Sequence, residues 1–458
     1  MDIKSFLNNV CNEIKYKPIR NDISEELENH IIDIKQNYID EGTNEEQAEI
    51  KAVEQMGNPK EIGIKLNKIH KPKLDWKLFI IMIILLGFSF LVAFTRAKAV
   101  LIDNGEISII TRYILFFVMG LVFSVLCYFA DYKKILKHSN FLYLLAIVII
   151  ILTLTFGAPV NGIPHLRIGT YMFSASVIAM PLFILSFVGF IEMLNNENKI
   201  KFKYLGKEKS INLNYIKLVL SSLFSLFLFT LIPATATAII VCISYFIILT
   251  AKIIQSNTNI KRNLAILWGI PIIFGLLFTA LVLIRAPYTL YRITGSFNPE
   301  SDPQGVGWIG VNQKLIINSA NIYGEADDMS NALNIFDEGT NYAFISILAH
   351  YGWIIGTALI LTIILFSIRL IINAIKIKDI YGKNIIIGIS SMFILQCVFN
   401  LLMNLNLGLQ ADFNIPFISY GGASLIINMI CISLILSVYR RKDILINEKD
   451  VKMQINNS

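Results

Sequence analysis

The amino-acid sequence predicts an all-α, polytopic membrane protein with about ten transmembrane helices and a small cytoplasmic helical domain at its N-terminus. Of its 458 residues, 55% are hydrophobic and only 16% are charged, whereas soluble domains carry roughly 25% charged residues. Apolar runs of membrane length recur from Trp76 onward, while the first 74 residues are polar. The distribution of the net charge of +7 is a topology signal, so no nucleic-acid partner is predicted.

Residues 1–74 are predicted to form the cytoplasmic helical prefix domain. Apolar residues at three- or four-residue spacing define one face of a helix that starts near Asp22 and ends at Gly42. These residues are Ile23, Leu27, Ile31, Ile34 and Tyr38. Thr43 is predicted to cap a second helix, and Pro59 suits the first turn of a third. The run EELENHIIDIKQNYIDEG, with EEQAEIKAVEQMGNPKEIGIKL after it, resembles the helical prefix domain of some bacterial permeases and sensor proteins. That resemblance implies regulation or partner contact, and a simple folded anchor is the alternative.

Ten apolar segments follow the prefix, each near the length of about 20 residues that a membrane span needs. They lie near residues 77–95, 108–129, 140–157, 173–194, 214–231, 234–253, 263–284, 341–371, 384–405 and 415–438. The fifth and sixth are separated only by Pro233, so they are predicted to form a tight re-entry or a short hairpin. The transmembrane domain is placed at residues 75–440, with a tail at 441–458.

Lysine and arginine in the short connections set the predicted orientation. One set of connections is basic, with clusters at 133–137, 199–209, 252–262 and 369–383, and the tail adds Arg440, Arg441 and Lys442. The alternate set is poor in lysine, and its long loop at 285–340 is acidic. Both termini are therefore predicted to be cytoplasmic, with the 285–340 loop extracellular.

Neither a cofactor nor a metal site is predicted. The five cysteines stand apart in the sequence, four of them inside apolar runs, and none forms a CxxC motif or a Cys/His cluster. A disulfide framework and a zinc site are therefore both disfavoured, and small buried side chains are the interpretation of these cysteines.

Two stretches carry a family resemblance. In the long loop, Arg292-Ile is followed by Asn298-Pro, Asp302-Pro and the sequence GVGW at 305–308. Near the C-terminus, Gln396 and Asn400 precede IPFISYGGAS at 415–424. These motifs resemble the RI…P…DP.G.GY and Q…N…LPF.SYGGSS patterns of the FtsW/RodA/SpoVE family, the SEDS proteins of bacterial cell-wall synthesis. The resemblance covers residues 76 to about 440.

The resemblance implies a multi-pass protein of the bacterial cytoplasmic membrane that polymerises lipid II, a disaccharide-pentapeptide carried on undecaprenyl diphosphate. It also implies a partner, a single-pass class B penicillin-binding transpeptidase, in elongation, division or sporulation. The chemistry needs a carboxylate that deprotonates the attacking sugar hydroxyl and a cation that helps the departing diphosphate. The residues that the resemblance assigns to substrate binding are Arg167, Arg292, Asp302, Gln396, Asn400, Ser419, Tyr420, Gly421 and Gly422.

The positions that carry the family's catalytic charge pair are neutral in this chain. The family's aspartate stands in a TDFIF motif after the long loop, and the matching segment TNYAF places Asn341 there. An amide cannot accept a proton as a general base. The family's lysine stands in FQPSELAK, and FSASVIAM at 173–180 places Met180 there. A lone ionisable group in the bilayer costs roughly 2.5–3.5 kcal/mol, so the pair is interpreted as lost together.

Three other carboxylates are candidates for a substitute base: Asp337, Glu338 and Asp412. The sequence leaves two main hypotheses open, a lipid II glycosyltransferase with a rearranged base and a non-catalytic protein that binds lipid II or regulates a transpeptidase. Transport of a lipid-linked precursor is a third. For Asp302, capping of its own turn is the alternative to substrate contact. For the PF.SYGG motif, helix packing at a kink is the alternative.

Overall fold

A computed structural model of the protein describes a large part of the chain. The described residues are 1–69, 71, 73–102, 108–160, 163–169, 171–195, 199–204, 207–232, 234–256, 260–265, 267–269, 294–327, 341–418 and 422–442. They form two compact units: Met1–Asp75 with the C-terminal residues from Val438 onward, and Trp76–Ser437.

The first unit contains four helices around one small apolar core. The helices are α1 (Ile3–Glu13), α2 (Arg20–Asp40), α3 (Glu45–Met56) and α4 (Pro59–Ile69). The predicted apolar face of α2 is buried at Ile23, Leu27 and Ile31, and these side chains pack with residues of α1 such as Phe6 and Val10. Because hydrophobic burial drives this packing, α1 completes the core. Helix α1 was not predicted, although Phe6 and Val10 already show helical spacing.

The cap predicted for the second helix is wrong by one residue. Asn44 occupies the N-cap position of α3 with extended backbone angles, and no side-chain cap hydrogen bond forms there. Thr43 instead closes the preceding turn, where its backbone N–H donates to the carbonyl of Tyr38 at 2.9 Å. A threonine before an acidic segment resembles a cap in sequence, but here the tight turn at Gly42 shifts the helix start by one residue.

Lys35 joins α2 to α3, because its Nζ donates to Glu45 Oε1 and Glu49 Oε2, each at 3.1 Å. Hydrogen bonds to Glu49 and Glu45 raise the pKa of Lys35. A raised lysine pKa stabilises the fold at neutral pH, and this contribution is lost only as the pH rises through the raised value.

We expect Lys35→Gln to speed amide hydrogen exchange in α2 and α3 by a few-fold at most, since ion pairs near the surface contribute little. The effect should shrink at high salt, which screens the charges. Hydrogen-exchange mass spectrometry of the full-length protein measures it. Lys60→Gln on α4 is the matched control, and an equal effect there would show that the Lys35 ion pairs do not hold the two helices.

The second unit is built from long apolar helices. They are α5 (Trp76–Ile102), α6 (Ser108–Phe129), α7 (Lys133–Lys137), α8 (Ser139–Phe156), α9 (Ala175–Glu192), α10 (Leu213–Leu231), α11 (Thr235–Ser256), α12 (Trp308–Ser319), α13 (Ala343–Lys376), α14 (Ile380–Asn404) and α15 (Gly422–Arg440). Within the described residues, nine of these, all but α7 and α12, are long and apolar enough to cross a membrane. The prediction of a polytopic helical membrane protein is confirmed. Most of the span predicted at 263–284 lies outside the described residues, which include only 263–265 and 267–269 of it.

Among the described residues, two small antiparallel sheets lie in the connections, so the all-α prediction omits short strands. The strands are β1 (Ala158–Val160), β2 (Ile163–Ile168), β3 (Tyr171–Phe173), β4 (Lys199–Tyr204) and β5 (Lys207–Asn212). The first three form a sheet in the order β1-β2-β3, and β4 pairs with β5. The sequence KIKFKY of β4 alternates with a period of two, which is typical of a strand. The prediction of a basic connection at 199–209 uses these lysines as a charge signal and does not include the strand.

Helix α9 lies at the centre of the second unit and packs against α8, α10, α11 and α14. It is buried along most of its length. The ring of Phe187 on α9 stacks on Tyr245 of α11, with centroids 3.9 Å apart. At Gly388 of α14, an added Cβ would lie 2.9 Å from Ile184 of α9. The glycine therefore lets α14 approach α9 more closely than a larger residue would allow.

Helix α13 is broken at Gly352, which has φ +78° and ψ −177°. The chain segment 321–326, which follows α12, hydrogen-bonds to the backbone on both sides of the break. The backbone N–H groups of Trp353 and Ile354 donate to the carbonyls of Asn321 and Ile322, each at 3.0 Å. Those of Gly324 and Ala326 donate to the carbonyls of Tyr351 and Ala349, at 3.3 and 2.8 Å. The break therefore leaves few backbone groups without partners.

Two predicted spans are corrected at their starts. The span predicted from 341 begins as a helix at Ala343 and continues to Lys376. The span predicted from 415 begins only at Gly422, because residues 413–418 leave the helical conformation and Phe417 has φ +69°. Apolar composition located both segments, but it does not distinguish a buried non-helical turn from a helix.

Candidate functional site

The position of the family's acid and the segment before the signature motif meet in the structure. The Asn341 side chain donates from Nδ2 to Oδ1 of Asp412 at 2.5 Å. Asn341 is partly buried and Asp412 is exposed. Of the three predicted substitute carboxylates, Asp412 thus contacts the acid position directly. Asp337 and Glu338 lie outside the described residues.

Two asparagines of α14 fix both segments of this site. Asn400 and Asn404 are four residues apart and so lie on the same face of the helix, and both are fully buried. Their Nδ2 atoms donate to the backbone carbonyl of Asn341, at 2.7 Å from Asn400 and 3.0 Å from Asn404. Asn400 Nδ2 also donates to the carbonyl of Phe413, the residue after Asp412. We call Asn400 and Asn404 the amide clamp.

The clamp is itself hydrogen-bonded, as buried polar groups generally are. Asn404 Nδ2 donates to Asn400 Oδ1 at 2.8 Å, and Asn404 Oδ1 accepts the backbone N–H of Ile345 at 3.4 Å. Asn400 was predicted as a site residue, whereas Asn404 was missed. Two amides at four-residue spacing on an apolar helix were the sequence signal that could have identified it.

The negative charge of this cluster comes from Asp412. Burial, and then the charge of Asp412, raise the pKa of Tyr342 to about 12. The other contacts of the cluster are amides and backbone groups. Among the described residues, no three His, Cys, Asp or Glu side chains cluster as metal ligands would. Asp412 is thus the carboxylate that this cluster places beside the acid position.

The signature motif reaches the site through a turn in a sparsely populated backbone conformation. Phe417 has φ +69°, a region that costs roughly 1–3 kcal/mol for a residue other than glycine. Its ring is buried between Phe366 and Phe393, with centroids 6.0 and 5.7 Å away. Closer to the acid, the ring of Phe413 stacks on Phe399 of α14 at 5.0 Å. Aromatic packing therefore holds the turn against α13 and α14.

Some of the remaining substrate-binding candidates lie among the described residues, and the others lie outside them. Gln396 is buried on α14 and its Oε1 has no hydrogen-bond partner among the described residues. Gly422 starts α15, where an added Cβ would lie 2.4 Å from the Phe116 ring of α6, which fits close helix packing. Arg167 lies on β2, exposed, and its Nε donates to the Gly169 carbonyl at 3.1 Å. The candidates outside the described residues are Arg292, Ser419, Tyr420 and Gly421.

The family's lysine position lies inside the helix bundle. Met180 belongs to α9 and is only 3% exposed. Burying a charged ammonium there without a partner would be costly, and a neutral methionine avoids that cost. The carboxylate is thus present at the site, whereas the position of the family's lysine is apolar.

Asp302 binds the backbone of its own loop. Its Oδ1 accepts the N–H of Gly305 at 3.0 Å, and its Oδ2 accepts that of Val306 at 3.2 Å. An added Cβ at Gly305 would lie 2.1 Å from Asp302 Oδ2, so glycine is needed for this turn. Both carboxylate oxygens thus stabilise the loop, and a contact of Asp302 with substrate stays a prediction.

We expect Asp302→Ala to speed amide exchange of Gly305 and Val306 by about tenfold, because comparable side-chain caps contribute roughly 0.5–2 kcal/mol. Hydrogen-exchange mass spectrometry of peptides covering 299–308 measures the change. Asp302→Asn keeps one acceptor oxygen and should have an intermediate effect. Unchanged exchange in the alanine variant would show that other contacts hold the loop.

Comparison with known proteins places the chain in a family. The FtsW/RodA/SpoVE family model, described as "Cell cycle protein", matches residues 75–444. The chain is 22% identical over 389 residues to the probable peptidoglycan glycosyltransferase FtsW of Nitrosomonas europaea, covering 81% of this chain and 94% of that protein. It is 30% identical over 165 residues to the stage V sporulation protein E of Bacillus subtilis, covering 36% of this chain. That match spans 45% of the relative's length, and a match to FtsW of Trichlorobacter lovleyi spans 43%.

Two solved structures share the fold. One is described as "Structural coordination of polymerization and crosslinking by a peptidoglycan synthase complex", with a TM-score of 0.63 and 20% identity over 81% of this chain and 98% of that one. The rod shape determining protein RodA of Thermus thermophilus gives a TM-score of 0.51 and 16% identity, covering 81% and 97% of the two chains. With the family match over most of the chain, this protein belongs to the FtsW/RodA/SpoVE family of multi-pass membrane proteins.

Proposed function

We propose that this protein is a peptidoglycan glycosyltransferase that polymerises lipid II with Asp412 as its general base. The observation that carries the proposal is the 2.5 Å hydrogen bond from Asn341 Nδ2 to Asp412 Oδ1. It supports a carboxylate one hydrogen bond away from the position where the family has its own. The names of the relatives, peptidoglycan glycosyltransferases among them, support the reaction class.

The proposed reaction uses the two oxygens of Asp412 differently. Asn341 holds Oδ1 and thereby orients the carboxylate, while Oδ2 of this exposed residue takes the proton from the attacking sugar hydroxyl. The hydroxyl oxygen forms the new glycosidic bond as the bond between the donor sugar and its diphosphate breaks. The electron pair leaves with the undecaprenyl diphosphate, and the proton ends on Asp412. General-base catalysis of this kind needs hydrogen-bond reach between base and hydroxyl.

Charge on the departing diphosphate needs a cation, and Met180 is not one. We assign this role to Arg167 and Arg292, the arginines among the predicted substrate-binding residues. Arg167 is exposed on β2, and its described hydrogen bond uses only Nε, so its terminal nitrogens can serve as donors to phosphate oxygens.

The site is proposed to face the outside of the cell, with both termini in the cytoplasm. The basic connections and the acidic 285–340 loop support this orientation. A single-pass class B penicillin-binding transpeptidase is the proposed partner. The structural neighbour described as a peptidoglycan synthase complex supports such an assembly.

A polymerisation assay with purified full-length protein and labelled lipid II tests the function, with the protein alone and with a class B transpeptidase. We expect glycan chains on gels. The decisive negative result would be no polymer from the wild type under conditions where the Asn341→Asp plus Met180→Lys variant makes polymer. That pair of results would show a scaffold whose catalytic charges can be restored.

A non-catalytic lipid II-binding protein is the second candidate function. The neutral, buried side chain at Met180 favours it, because the family's cation has no replacement at that position. The same preparation distinguishes the two: tight binding of labelled lipid II with no turnover, alone or with the partner, would support this second candidate.

A further inference from the structure

A short segment of the long loop exposes two large hydrophobic side chains beside the break in α13. Ile322 is 76% exposed and Tyr323 is 77% exposed, more than any other large hydrophobic side chain among the described residues. Single exposed hydrophobic residues are common. Ile322 and Tyr323 are adjacent, are the most exposed of these side chains and lie in an otherwise polar segment. Contact with an apolar phase would explain their exposure.

Backbone hydrogen bonds fix the level of this segment along a spanning helix. The Ile322 carbonyl accepts the N–H of Ile354 at 3.0 Å, two residues after the break. From there α13 continues to Lys376, a length of about 33 Å at 1.5 Å per residue. The hydrocarbon core is about 30 Å thick. With Lys376 at one membrane boundary, Ile354 and its partner Ile322 lie at the other.

Part of the backbone of this segment is hydrogen-bonded, which lowers the cost of irregular backbone at this depth. The N–H groups of Gly324 and Ala326 donate across the break, and the Asn321 carbonyl accepts from Trp353. The Asn321 side chain donates to the Glu325 carbonyl at 2.7 Å and to Asp327 Oδ1 at 3.0 Å. Hydrogen bonds within the segment therefore stabilise the conformation of this turn.

We propose that Ile322 and Tyr323 anchor the long loop in the phospholipid interface at the loop end of α13. Ile354, at the same level, is 53% exposed and extends the apolar surface towards the lipid. Tyrosine is enriched where the ring can contact acyl chains while the hydroxyl stays hydrated. Glu325 and Asp327 follow on the side towards water. The occupant of this surface is phospholipid, independently of whether the protein polymerises lipid II.

Site-specific photo-crosslinking in nanodiscs tests the anchor. A benzophenone amino acid replaces Tyr323 in the full-length protein, and the matched control places it at Glu325, two residues away in the same turn. After irradiation, mass spectrometry is expected to find phospholipid adducts at 323 and few at 325. Equal adducts at both positions, or a protein–protein adduct at 323, would overturn the proposal.

A second measurement covers the case in which the bulky probe disturbs the turn. Tyr323→Trp and Glu325→Trp are made in a background where Trp76, Trp268, Trp308 and Trp353 are phenylalanine. Brominated phosphatidylcholine should quench the tryptophan at 323 far more strongly, and aqueous iodide should quench the one at 325. Quenching of the tryptophan at 323 by iodide but not by brominated lipid would contradict the anchor.

Discussion

Replacing Asp412 with asparagine is expected to slow lipid II polymerisation by about 10²-fold or more, since general acid–base catalysis contributes roughly 10²–10⁴-fold. The amide has nearly the same shape as the carboxylate but cannot take the proton. Asp412 is exposed, so the variant should unfold at nearly the wild-type temperature. Initial rates with labelled lipid II, compared with thermal unfolding of the same preparation, separate loss of chemistry from loss of structure.

The matched control exchanges the two side chains. In the Asn341→Asp, Asp412→Asn variant, the pair keeps one amide and one carboxylate at hydrogen-bond distance, and the charge moves to the family's position. We expect this variant to recover much of the lost rate. Asn341→Asp alone places two carboxylates together, which raises the pKa of one of them and leaves the pair partly protonated. Full polymerisation by Asp412→Asn would assign the base elsewhere, with Asp337 and Glu338 next to test.

Gly352→Ala is expected to destabilise the protein strongly. The backbone at φ +78° and ψ −177° is essentially restricted to glycine, and other residues there cost roughly 1–3 kcal/mol. An added Cβ would also lie 2.6 Å from the Asn321 carbonyl oxygen, which must move and weaken the hydrogen bond from Trp353. Thermal unfolding in nanodiscs measures the loss, and amide exchange at 321–326 locates it.

Gly356→Ala, one turn further along α13, is the control for this substitution. Its added Cβ would meet Leu348 Cδ1 at 3.3 Å, a flexible side-chain end, and alanine is about 1 kcal/mol better than glycine inside a helix. We expect a small change of either sign. If both variants unfolded alike, the helix break at Gly352 would not be the reason for the loss.

The sequence predicted the spans well because membrane length and apolar composition are local properties. In the part of the chain that the structure describes, nine helices of membrane length lie near nine of the predicted segments. The errors came where composition is ambiguous. Gly352 lies in an apolar run, and nothing in such a run distinguishes a glycine that breaks the helix from one that packs within it. The turn around Phe417 is as apolar as the helix predicted there.

The sequence was sufficient to identify residues of the candidate site, but it did not predict which of them contact each other in the folded protein. Asn341 and Asp412 were both singled out, but 71 positions separate them. Their contact depends on α14, which binds the backbone of both segments through Asn400 and Asn404. Motif matching identifies residue types at fixed spacing along the chain. It does not reveal that Asn341 and Asp412 are neighbours, because tertiary packing brings them together.

The amide clamp has a consequence for how this site can change. Asn400 and Asn404 hold residue 341 by its carbonyl oxygen, which every amino acid possesses. The position of the backbone is therefore set without reference to the side chain that it carries. An amide can stand at 341 and a carboxylate at 412 while the same two asparagines hold both segments. Asn400 and Asn404 therefore fix the backbone of the site, and either position 341 or position 412 can carry the carboxylate.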